Sequence, residues 1–300
     1  ELAHLQLSYC IEEAHSYEFS AYTIACILEG CINLLQSDKY DNDVEKCATW
    51  LYNKLISKYH PDSYNVLELS TISQALVLYN KAMGKTGRDE LITKIMLEIM
   101  SRRTRYGLLR KSLFIASTAP ISHHFMAIHS LLLSYPYVQL DTLYEDAFRL
   151  FNNLYDISFK SSANYFTFSR SWPIRYTGFD IGTIMRGLNT IIQWTDGKDE
   201  QRKLIDILNN SYLNFILDGF FNNFSEEYNQ SLLFCKKVMQ PNNENISEIN
   251  FEKYIPPVFP GYIEINYPGP TINWPKNRII NLSQPLFLCS AILDVKPPDY

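Results

Sequence analysis

Apolar residues recur at three- and four-residue steps along most of the chain, in runs that come two by two at intervals of about 50 residues. Ala21, Ile24, Ala25, Leu28, Cys31, Ile32 and Leu35 form the first such series, and Val44, Cys47, Leu51 and Leu55 form its partner. This is the spacing of one apolar face of an α-helix. The pattern predicts helix pairs over 21–35 with 43–58, 67–81 with 89–103, 122–133 with 140–155, and 179–194 with 200–217. The breaks between partners carry turn chemistry: Met83-Gly84-Lys85-Thr86-Gly87, Tyr135-Pro136 and Thr195-Asp196-Gly197-Lys198. Glycine ends a helix readily, and Asp89 and Glu90 suit the positive end of the next one.

A single helix pair cannot bury both of its apolar faces, so neighbouring pairs must stack, as an open solenoid or as a ring. The segments leading into first helices are long and rich in Ser, Thr, Tyr, His and Pro, notably 115–124 and 161–179. Solenoids keep such connections short. The expectation is therefore an all-α protein, an α/α toroid forming an incomplete or closed ring over 1–239. From Gln240-Pro241-Asn242-Asn243 onward the character changes. Residues 240–300 hold most of the prolines and an alternating segment, Tyr262-Ile263-Glu264-Ile265-Asn266, which reads as a short strand. A Pro-rich extension packed on the toroid is expected there, with one late helix over 283–294.

Composition narrows the functional classes. With 300 residues, 46% of them apolar, the chain can bury a sizeable core. The balance of 27 Lys and Arg against 32 Asp and Glu, with no clustered basic run expected, argues against nucleic acid as the partner. No stretch approaches the ~20 apolar residues of a membrane span. The sequence opens on Glu1 without a charged-then-apolar leader, as a processed or excised form would. Six cysteines include no CxxC pair, so neither a zinc knuckle nor a thioredoxin-type site is expected, and no metal or other cofactor is called for. Asn-x-Ser sequons at Asn209, Asn223, Asn229, Asn245 and Asn281 suit a secreted or extracytoplasmic protein.

Candidate chemistry concentrates in three places. The stretch 164–182 holds Asn164, Tyr165, Arg170, Trp172, Arg175, Tyr176 and Asp180. Aromatic rings stack on sugars and guanidinium groups pair with acids, so this mixture suits an oligosaccharide or polysaccharide. His123 and His124 stand at the start of a predicted helix, where imidazole can exchange protons near neutral pH. Glu18, Glu68 and Asp180 fall near the starts of predicted first helices, and two carboxylates facing one cavity could hydrolyse a glycosidic bond. The same acids also simply stabilise a helix N-terminus. There is no HExxH, GxSxG, Walker loop or GxGxxG after a strand.

The run Arg175-Tyr176-Thr177-Gly178-Phe179-Asp180-Ile181-Gly182 followed by an apolar helix resembles the tyrosine-threonine-glycine stretch of polysaccharide lyases that cleave hyaluronate, chondroitin and xanthan. The likeness extends over 119–230, about a third of the chain. That resemblance implies a toroid that binds a glycan, with Arg170 and Arg175 pairing with acidic groups and Trp172 and Tyr176 stacking on sugars; His123, Asn164, Tyr165 and Glu68 are the further residues expected at the site from their types and positions. Catalysis by β-elimination would need His124, Tyr176 or Tyr165 to take over proton transfer, and Asp180 is the further catalytic candidate. The sequence departs from the family pattern at the positions that carry turnover: His124 stands near the family's asparagine, Ser171 near its histidine, and Asp180 at its catalytic tyrosine. Three readings follow: a lyase-like glycan-processing protein, an inactive binding or structural protein on the same scaffold, and a glycoside hydrolase using Asp180 with Glu68.

Overall fold

Strong 3.6-residue periodicity and local capping chemistry place the helices where the sequence puts them. A computed structural model describes residues 19–35, 42–60, 63–138, 140–161, 165–168, 174–176, 178–213, 262–265 and 270–273, and the described residues are mostly helical. The helices are α1 (Ala21–Leu35), α2 (Asn42–Lys58), α3 (Val66–Ala82), α4 (Glu90–Ser101), α5 (Ile121–Ser134), α6 (Leu143–Ser158), α7 (Gly178–Trp194) and α8 (Lys198–Ile207), the last running into a π-helical turn over Leu208–Leu213. Short strands are β1 (Phe159–Lys160), β2 (Tyr165–Phe166), β3 (Ile174–Tyr176), β4 (Tyr262–Ile265) and β5 (Pro270–Asn273). Two compact units divide the chain, residues 1–157 and 158–300. The boundary expected at 239/240 and the late helix over 283–294 lie outside the described residues.

In the first unit the three expected pairs are present, and their first helices line up as one layer: α1 packs on α3 and α3 on α5. The second helices lie against them, α2 on α1 and α4 on α3, while Phe151 of α6 meets Phe125 of α5 edge-on at 6.3 Å between ring centres. A helix flanked on both sides and covered behind has little face left for solvent. Accordingly α3 buries Ser70, Ser73 and Gln74 along with Leu69, Ile72, Leu76 and Val77. The buried hydroxyls are satisfied: Ser70 donates to the Val66 carbonyl at 2.8 Å, and Ser73 and Ser134 share a hydrogen bond of 2.9 Å between α3 and α5.

Caps move two boundaries by a few residues. Asp89 precedes α4 as its N-cap, its carboxylate accepting from the Leu91 and Ile92 amides at 2.9 and 3.0 Å. A 3₁₀ turn over Tyr135–Tyr137 delays α6 to Leu143. The larger departure is residues 102–119, where helix is expected to 103 and a connecting segment from 115, and which form a three-pass meander. Arg103 pairs with Leu109 and Arg110 with Thr118. Backbone bonds from Thr104 to Leu108, Arg110 to Arg102, Lys111 to Ser117 and Ala119 to Leu109 hold it, at 2.7–3.0 Å.

The first bend of the meander requires Gly107. Its φ is 75°, and a Cβ there would run into the Asn153 side chain of α6. Gly107→Ala is expected to lower stability by about 2 kcal/mol in urea titration, combining left-handed strain with the clash. Gly84, also at positive φ but facing open space, should cost only the strain on the same substitution.

In the second unit α7 buries every residue from 181 to 190 and packs with α8 and the π-helical turn. β1 pairs with β2, Phe159 opposite Phe166. The strand expected near Tyr262 forms and finds two partners: β4 runs antiparallel to β5 and to β3, setting Glu264 opposite Arg175 and Ile263 opposite Tyr176.

Candidate functional site

The segment leading into α5 brings together most of the first unit's candidate chemistry. Its meander is tied to three helices: the Val66 amide at the start of α3 donates to the Lys111 carbonyl at 3.1 Å, Arg103 pairs with Asp146 of α6 at 2.9 Å, and the Leu109 amide donates to His124 of α5 at 2.9 Å. Glu68 and the two histidines, each in the first turn of its helix, thus stand at one end of the layer that α3 and α5 share.

His124 has a specific architectural task. It is fully buried, and its Nε2 accepts from the Leu109 amide, so the proton resides on Nδ1, which donates to the Pro120 carbonyl at 2.9 Å. Burial pushes its pKa down to about 4, with neighbouring His123 adding to the same effect against the pull of the Pro120 carbonyl. The ring is neutral, enclosed and engaged at both nitrogens, which leaves it no position from which to exchange a proton with a bound sugar. His123, half-buried, follows Ser122 in the same turn.

Glu68 is equally committed. Its carboxylate accepts from the Asn65 amide at 2.7 Å while the Asn65 side chain accepts from the Glu68 amide at 3.1 Å. This reciprocal pair is a capping box that starts α3.

In the second unit, Tyr165 on β2 is buried edge-on against Tyr212 at 5.3 Å, and burial raises its phenol to about 12. The Tyr212 hydroxyl accepts from the Phe166 amide at 3.3 Å. A phenol so raised keeps its proton at neutral pH. Asp180 is half-buried in the first turn of α7, where the helix dipole favours a carboxylate. Arg175 and Tyr176 occupy neighbouring register positions on β3, directly before that helix. Asn164, Arg170 and Trp172 lie outside the described residues, as does Glu18. Among the described residues no group of three His, Cys, Asp or Glu side chains is placed to hold a metal, and no helix is long and apolar enough to cross a membrane.

One feature escaped the sequence reading, although it is written there: Arg102, Arg103, Arg105, Arg110 and Lys111 make a basic run, which corrects the expectation that there is none. The fold neutralises part of it. Arg102 bonds Glu98 and Arg103 bonds Asp146, both at 2.9 Å. Arg105 stays exposed over the ring of exposed Tyr106, 4.7 Å from its centre, and Lys111 is exposed on the next pass. Phe114 and Ile115 project from the second bend, 86% and 46% exposed.

No protein-family model matches the chain, and no curated protein matches it either.

Proposed function

We propose that this chain is a helix-pair protein of the toroid kind that binds an acidic oligosaccharide or polysaccharide without cleaving it. The observation that carries the non-catalytic half is His124, whose two nitrogens are both spent on backbone bonds inside a closed core. The capping role of Glu68 and the raised phenol of Tyr165 point the same way, since each removes a group that lyase or hydrolase chemistry would use. The binding half is supported by two sets of residues. Arg105, Tyr106 and Lys111 offer cations beside an exposed ring, and the stretch with Arg170, Trp172, Arg175 and Tyr176, resembling the lyase sequence, combines the same residue types. His123, Asn164 and Asp180 complete the residues assigned to this glycan.

The test is incubation of the protein with hyaluronate, chondroitin and xanthan. Salt-sensitive retention on the immobilised chains is expected, with no rise in the ultraviolet absorbance of unsaturated uronate and no new reducing ends. Unsaturated product would restore the lyase reading, reducing sugar alone would favour a hydrolase, and no retention on any acidic chain would remove the glycan.

A further inference from the structure

The two cysteines of the first helix pair meet across its interface. Cys31 stands roughly one turn before the end of α1 and Cys47 just over one turn into α2, which are matching heights on helices that double back on one another. Cys31 is wholly buried, whereas Cys47 is half-buried and reachable from outside. The packing of α1 on α2 brings these matching positions to one interface, and a side-chain hydrogen bond from Cys31 acts on the Cys47 thiol. Cys26, an exposed residue of α1, carries a free thiol that local burial and the nearby Glu29 push up to about 11.

We propose that Cys31 and Cys47 form a disulfide that staples α1 to α2 when the protein meets a disulfide oxidant such as oxidised glutathione. The chemistry balances as two exchanges. The Cys47 thiolate attacks one sulfur of oxidised glutathione, forming a mixed disulfide and expelling one glutathione thiolate. The Cys31 thiolate then attacks the Cys47 sulfur and expels the second glutathione. Two protein protons and two electrons leave with the reduced pair of glutathiones. Access assigns the order, since Cys47 is open to an external attack while Cys31 lies buried on the facing helix. The hydrogen bond from Cys31 also holds the Cys47 thiol below its ordinary value, against the opposing effect of burial, which raises its thiolate fraction. The closed loop spans the connection between the two helices, so the link removes freedom from the unfolded chain.

The experiment uses the full chain, reduced and then equilibrated with a glutathione redox buffer, alkylated, digested and mapped by mass spectrometry. A peptide pair joined through Cys31 and Cys47 is expected, with a melting temperature on the order of 5–10 °C above the reduced form. Cys47→Ser and Cys31→Ala should each abolish that increment, and Cys26→Ser should retain it. Cys47→Ser changes a half-buried side chain and keeps the test open even if Cys31→Ala folds poorly. A stable glutathione adduct on Cys47, a link from either residue to another cysteine, or an unchanged melting temperature on oxidation would each overturn the proposal.

Discussion

Replacing His124 with alanine is expected to destabilise the first unit by about 3 kcal/mol, because one side chain satisfies the buried Leu109 amide, bonds the Pro120 carbonyl and fills the space between the meander and α5. The substitution orphans the Leu109 amide, takes one of two hydrogen bonds from the Pro120 carbonyl, which still accepts from the residue-124 amide, and leaves a cavity beside wholly buried Leu109. Its signature is a dependence on pH. The folded pKa of about 4 lies below the ordinary 6.5, so in that window the unfolded chain binds more protons than the folded one and stability rises with pH. The wild type should hold its full His124 contribution above pH 6.5 and lose about 3 kcal/mol as pH falls to about 4. Urea midpoints across this range, for wild type and His124→Ala, measure both effects. A variant with the wild-type midpoint, or one with the same acid slope, would show that the ring does not hold the meander.

The second large effect is expected at Glu98. Arg102 is wholly buried, Glu98 is its only side-chain partner among the described residues, and its Nε and Nη1 have no hydrogen-bond partner. Glu98→Ala strands a guanidinium charge inside the protein and should cost about 3–5 kcal/mol. Arg102→Met, which removes the charge and keeps an apolar stem of similar length, should be close to neutral or stabilising. The contrast between the two midpoints is the informative quantity. Equal losses would mean that Arg102 contributes by packing its full side chain, whereas a harmless Glu98→Ala would mean that solvent reaches the guanidinium. Glu98→Gln keeps an acceptor without the charge and should fall between them.

Much of the helical framework was legible because it is local. The predicted segments 21–35, 43–58 and 67–81 match α1, α2 and α3 to within a residue at each end, since apolar spacing and polar caps act over one or two turns. The Asn65-to-Glu68 capping box is equally legible, yet the same carboxylate also reads as a candidate for chemistry, and only the reciprocal bonds show where it goes. The meander was not legible. Its passes are too short for an alternating pattern, and bonds from Val66, Asp146 and His124, distant in sequence, hold it in place. His124 is the sharpest case: beside His123 it reads as reactive, and burial turns it into a strut.

The order of amino acids by itself determined that this protein is built from paired helices with glycine and proline turns, because helix formation and termination depend on neighbours within a few residues. Tertiary structure alone decided which polar groups remain available for chemistry. Availability depends on what closes over a side chain and which backbone atoms it must satisfy, and those partners come from helices that meet only after the chain has folded.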